Sequence, residues 1–229
     1  MTSVRLGSIL VVSVLVLAAC GGTKFKADPA ADLALAKASV LTSADLPGYT
    51  STPYTDSDDI PANVKSAFAT CMQAPSTIFD DTPGEQRFNS PNFDKGQSEV
   101  QNTVNVEPTQ SVADTDWNEL AKSQTAQCLQ QLFEAALKSG GSGSAGATYS
   151  GTTVTRFDVG IGNRSVGFTV SINISANGNS APFYADVIFV LRDRAELNFF
   201  YSGLGTPPDR SFETGLVQKV YDRVGGKAS

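Results

Sequence analysis

The chain has 229 residues with 17 basic and 23 acidic side chains, a formal charge of −6 and a pI near 4.6. That balance disfavours nucleic acid and anionic headgroups as partners of the polypeptide surface, since both attract clustered Lys and Arg. The complete lack of histidine removes Ser-His-Asp and Cys-His catalysis, His-ligated zinc and imidazole pH sensing. No catalytic residue, metal ligand or cofactor is assigned from the sequence.

Arg5 precedes an apolar run from Leu6 to Leu17 that closes with Leu17-Ala18-Ala19-Cys20. The run is shorter than the roughly 20 apolar residues that span a bilayer, and small residues before a cysteine suit a peptidase that cuts there once the thiol carries lipid. The expected organisation is a lipoprotein signal peptide at 1–19, a lipidated tether at 20–29 and one extracytoplasmic domain at 30–229. Cys20 is the expected lipidation site. Two palmitate-type chains on that thiol would hold the protein stably at the outer face of the cell membrane, where one chain is marginal. Ordinary secretion and a retained anchor are the competing readings of this segment.

Removing Cys20 from the count leaves Cys71 and Cys128, an even pair in an oxidising space, for which one disulfide is the default and two buried thiols the alternative. No Cys-x-x-Cys spacing supports a redox or metal role.

Along the chain, Ala30 to Leu41 reads as a short helix stopped by Leu46-Pro47-Gly48-Tyr49. Asp56, Asp58 and Asp59 invite a calcium reading, but Pro61 stands where an EF-hand loop needs glycine and Ala67 where it needs glutamate, so a solvated loop is favoured. Asn63 to Met72 places Val64, Ala67, Phe68 and Cys71 on one helical face. Gln97 to Val106 reads as a strand ended by Pro108, and Ser111-Val112-Ala113-Asp114 as a capping box opening one helix to about Lys138. In that helix Trp117 reads as a core anchor rather than a ligand platform. Ser139 to Ala147, nearly all Gly, Ser and Ala, reads as a flexible loop.

Val166, Phe168, Val170, Ile172 and Ile174 alternate with polar residues, and Asn177-Gly178 suits a tight hairpin. Phe183 to Leu191 and Ala195 to Tyr201 continue an antiparallel meander that Thr152 to Val159 joins. Pro207-Pro208 breaks to a last helix burying Leu216, Val217, Val220, Tyr221 and Val224. Asp186 and Asn198 suggest a wet face opposite the core. Gly160-Ile161-Gly162 lacks the third glycine and the helix of a dinucleotide loop. Arg192 and Arg194, flanking Asp193, read as solubilising charges at a hairpin tip rather than an anion site. Asn163-Arg164-Ser165 and Asn173-Ile174-Ser175 match the glycosylation tripeptide, a match treated as accidental behind a lipoprotein signal.

An Ala-rich helix leading into Leu41-Thr42-Ser43-Ala44-Asp45-Leu46-Pro47-Gly48-Tyr49, then Cys71, Phe88-Asn89-Ser90-Pro91-Asn92-Phe93, Cys128-Leu129, and Tyr184 to Ala195 through the Arg192-Asp193-Arg194 turn, resembles a family of bacterial secreted and lipid-anchored sensor-type domains. This type is similar to the extracellular domain of PknH-like receptor kinases and to PsbP-like folds. The resemblance implies an antiparallel sheet wrapped by helices, a cleft for ligand capture and no catalytic residues to carry over. The chain departs from the kinase sensors in having one possible disulfide where they have two, and in lacking a kinase segment.

The expected fold is therefore α+β, a single domain with an antiparallel sheet of about five strands and helices on one face. The expected function is that of a lipid-anchored, non-catalytic ligand-binding or sensing domain of the cell envelope, not an enzyme. The alternative is a structural or accessory envelope lipoprotein acting through protein contact. Expected partners are the membrane, through the N-terminal lipid, and a small ligand or envelope protein.

Overall fold

The structure, a computed structural model, describes residues 27–55, 62–75, 82–139, 148–176 and 178–226. Cys20, the Asp56–Asp59 run, Asn177 and nearly all of the Ser139–Ala147 stretch lie outside those residues. Five helices and eight strands are described: α1 (Pro29–Ser39), β1 (Thr50–Thr52), α2 (Ala62–Met72), β2 (Gln86–Asn89), β3 (Asn92–Lys95), β4 (Ser98–Val106), α3 (Gln110–Leu120), α4 (Thr125–Ser139), β5 (Thr148–Phe157), β6 (Ser165–Ala176), β7 (Asn179–Arg192), β8 (Ala195–Leu204) and α5 (Arg210–Val224). They form one antiparallel sheet in the order β1-β3-β4-β8-β7-β6-β5, with β2 also paired to β4. The α+β single-domain expectation holds, with three short strands beyond the expected five.

The meander β5–β8 follows from local alternation. Val166, Phe168, Val170 and Ile172 of β6 sit opposite Phe189, Val187, Ala185 and Phe183 of β7, so their side chains share one face. On that face Phe168, essentially inaccessible, packs with Phe68 and Met72 of α2 and Leu129 of α4. Burying a side chain of that size contributes about 1.5–3 kcal/mol. The intervening residues Ile188 and Val190 point the other way, where they meet Leu197, Phe199 and Tyr201 of β8, Ala36 of α1 and Leu216, Val217 and Val220 of α5.

Helices therefore cover both faces rather than one. The reason lies in β7, which is apolar on both sides and requires cover on both. Asp186 and Asn198 do not share a wet face either. Asp186 pairs with Tyr201 and lies 1% exposed beneath α5, while Asn198 pairs with Phe189 on the opposite face.

The single helix expected over residues 111–138 is two. Thr109 caps α3, its hydroxyl accepting from the Val112 amide, and the chain breaks at residues 121–124 before α4. Ser123 and Thr125 favour local hydrogen bonds over helix interior, and the Thr125 hydroxyl donates back to the Glu119 carbonyl. Lys122 and Gln124 donate to the carbonyls of Met72 and Cys71, docking the break on the end of α2. This brings Cys128 beside Cys71. The two are bonded, with Cα atoms 5.6 Å apart across a separation of 57 residues.

Gly167 is required by packing. A Cβ there would lie 2.0 Å from the ring of Phe157, which crosses the strand at that point and carries the Arg210 guanidinium on its face.

Candidate functional site

One half of the sheet face that carries α2 and α4 is apolar and the other half is polar. Antiparallel register sets the polar half: Asn105 of β4 stands between Arg87 of β2 and Glu196 of β8, and Thr103 stands opposite Asn198. The helix α4 packs on β5 and, through Leu129, with Val166 and Phe168 of β6, away from this polar half. A cleft of about 400 Å³ results, with Asn105, Glu196 and Asn198 on its floor. Glu85, Glu107, Asp116 and Glu119 form its acidic rim, and Phe68, Leu129, Leu132 and Phe189 its apolar wall.

Five carboxylates line the cleft, and they divide into two sets. Glu85 pairs with Arg87 at 3.2 Å, and Glu119 pairs with Lys122. Arg87 also donates from Nε to Asn105 Oδ1 at 3.1 Å. Glu107, Asp116 and Glu196 form the second set, and each offers an oxygen such that all three oxygens lie within 4.8 Å of one another. Among the described residues no lysine or arginine makes an ion pair with any of the three. Glu107 is 2% exposed, and its Oε2 has no hydrogen-bond partner, nor has Oε1 of Glu196.

Burial pushes the Glu196 carboxyl up to about 8, with the charges of Glu107, Asp116 and Glu85 adding to the shift. Burial likewise raises Glu107 to about 7, helped by Glu85 and Asp116 and opposed by the more weakly acting charges of Arg87 and Arg194. Asp116 is raised for the same causes, burial first and then Glu85 and Glu119. The trio is thus a place where negative charge is crowded and poorly solvated, so it favours whatever brings positive charge. Of the lining residues only Thr82 carries a hydroxyl, and its amide donates to Glu85 at 3.1 Å.

A second carboxylate group lies on the opposite face. Asp186 and Glu213 are 1% and 0% exposed, and Arg210 reaches both at 2.9 Å while donating to Thr169. Burial and then the adjacent Asp186 hold Glu213 up at about 9. A hollow of about 370 Å³ lies near it, where Tyr49 and Phe212 stack with ring centres 6.1 Å apart.

Of the residues singled out from sequence, Cys71 and Cys128 bond behind the cleft's apolar wall, whereas Cys20 lies outside the described residues. Trp117 packs against the cluster around Cys128, as a core anchor does. Arg192 and Arg194 are occupied rather than solvated. Arg192 donates to the Tyr221 carbonyl at 2.7 Å, and Arg194 pairs with Asp32 at 2.7 Å and donates to the Glu107 carbonyl. Sequence reasoning did not find Glu107, Asp116 and Glu196. They come from the residue after β4, from α3 and from β8, and only the β4–β8 register and the placement of α3 join them. The nearest signal was an acidic residue, Glu196, alternating with apolar Ala195 and Leu197 in a strand.

No family model matches the chain, and no curated protein sequence matches it. Among solved structures, the chain is similar to the extracellular domain of PknH from Mycobacterium tuberculosis, with a TM-score of 0.47 and 12% identity over 83% of this chain and 95% of that one. A protein of unknown function, PA94 from Pseudomonas aeruginosa, aligns with a TM-score of 0.23 and 14% identity over 61% of this chain and 79% of that one.

Proposed function

We propose that this protein is a lipid-anchored lipoprotein of the extracytoplasmic membrane face, whose single domain captures a ligand non-catalytically in the acidic cleft. The signal reads as residues 1–19, the lipidated tether as 20–29 and the binding domain as 30–229, with Cys20 carrying the lipid. The observation that carries the binding reading is the cleft itself: about 400 Å³, one apolar wall, and three convergent carboxylates that no described cation pairs. Binding sites combine apolar lining with a few convergent polar groups of perturbed protonation in this way. The excess of carboxylates favours a ligand bearing positive charge.

Native mass spectrometry of the full chain, purified in mild detergent, tests the capture reading. A retained small molecule that is lost when Leu129→Asp fills the apolar wall with charge is the expected result. A chain that carries no molecule but crosslinks in cells to one envelope protein would instead make it an accessory lipoprotein. Anchoring has its own test: an alkyne fatty acid fed to cells should label wild type and not Cys20→Ala. Equal label on both would overturn the lipoprotein reading.

A further inference from the structure

We infer that Glu107, Asp116 and Glu196 hold one divalent cation of calcium's size in the cleft. This deepens the capture reading and rests on the same cleft. The argument begins with dimensions. Oxygen ligands surround Ca²⁺ at about 2.3–2.6 Å, so two on opposite sides of the ion stand about 5 Å apart. Three carboxylate oxygens within 4.8 Å of one another therefore fit inside one coordination shell.

The donor set is hard oxygen throughout, which selects a hard cation over a transition metal that prefers nitrogen or sulfur. The three carboxylates come from separate elements, the residue after β4, the helix α3 and the strand β8. Such a frame suits the flexible, irregular shell of Ca²⁺ better than the strict octahedron at about 2.0–2.1 Å that Mg²⁺ demands. Asn198 and Glu85 also line the cleft, and water from its open side would complete the shell.

The second, independent observation is Glu107. It is 2% exposed, it faces the cleft, and its Oε2 meets no donor. A buried acceptor left unpaired costs about 1–3 kcal/mol, and more if it is charged. The rim's basic groups are already engaged, Arg87 by Glu85 and Asn105, and Lys122 by Glu119 and the Met72 carbonyl. An ion seated among the three carboxylates would supply Oε2 with the positive partner that the described residues do not.

Terbium(III) occupies calcium-type sites and glows when a nearby indole is excited. Trp117, the only tryptophan in the chain, follows Asp116 directly. The full chain in detergent, stripped with chelator, should show tryptophan-sensitised terbium emission that saturates at one ion per chain and that Ca²⁺ displaces. Asp116→Asn, on a half-buried helix face, and Glu196→Gln should each weaken terbium at least about 10-fold, while Glu134→Gln on α4 should leave it unchanged. Emission of equal affinity in Asp116→Asn and wild type would overturn the site, as would no sensitised emission from a chain whose intrinsic tryptophan spectrum shows it folded. The latter result would mean that the trio holds protons only. A small organic molecule retained in the mass spectrometer without terbium binding removes the cation and leaves the capture reading; terbium binding with nothing else retained does the reverse.

Discussion

Two groups of buried carboxylates lie on opposite faces of the same sheet, and they are managed differently. Asp186 lies beneath α5, which itself carries Glu213, and Arg210, on the first turn of that helix, reaches both. Glu107, Asp116 and Glu196 look into an open cleft, and among the described residues no basic side chain pairs with them. A buried charge needs a partner, and the first group has it within the chain. The second group is built for a partner from outside. The comparison separates a carboxylate pair that fastens a helix from a trio that waits for a ligand, although burial raises the Glu213 carboxyl as it raises those of the trio.

The largest expected effect falls on the open side alone. Cys71 and Cys128 tie α2 to α4, the helices that supply Phe68, Leu129 and Leu132 to the cleft wall. Replacing both cysteines by serine opens a 57-residue separation and should cost about 4 kcal/mol. Urea unfolding would measure the loss, and hydrogen exchange should accelerate in α4 more than in α5. Uniform acceleration in both helices would erase the difference between the two regions.

The closed side should break at Arg210. Arg210→Met leaves Asp186 buried without its cation, and we expect a loss of about 2–4 kcal/mol, below the upper range for buried pairs because Arg210 is 43% exposed. The same change should leave terbium binding in the cleft unaltered.

A smaller effect is read from pH. The carboxyls of Glu107, Glu196 and Glu213 sit at about 7, 8 and 9 in the folded protein, against about 4.5 when unfolded. Between those values the folded state holds protons that the unfolded state has released. Their contribution to stability is fully present below pH about 4.5 and is lost as pH rises through about 7 to 9. In chelator, wild-type stability should fall across that range, and Glu196→Gln should flatten the fall between about pH 6 and 8 by on the order of 1–2 kcal/mol. An unchanged pH profile in Glu196→Gln would mean that Glu196 ionises freely.

What was legible in the sequence was local. The alternation from Val166 to Ile174 marks β6 because each side chain's face is set by its own position, and the Phe183–Leu191 return and the last helix follow from similarly local periodicity. The strands β1, β2 and β3 escaped because they are three or four residues long and largely polar, so no alternation can build up; β2 and β3 exist because β4 offers them an edge, and β1 because β3 in turn offers it one. The break at residues 121–124 was hidden in an otherwise helical pattern, and it is fixed by contacts to α2, 50 and 53 residues earlier. Asp186 was misplaced because alternation tells which residues share a face but not whether a helix covers that face. The cleft was the least legible feature of all. Glu107 and Glu196 are brought together by the pairing of Asn105 with Glu196, and Asp116 by the packing of α3, none of which a linear pattern records.

The stability of the full chain in urea at pH 8, with Ca²⁺ against chelator, bears most directly on the claim that the open trio waits for an external cation. At a free Ca²⁺ concentration of about 100 times its dissociation constant, wild type should gain about 2.7 kcal/mol, Asp116→Asn should gain far less at the same concentration, and Arg210→Met should gain as much as wild type. No gain in wild type, or an equal gain in Asp116→Asn, would contradict the account.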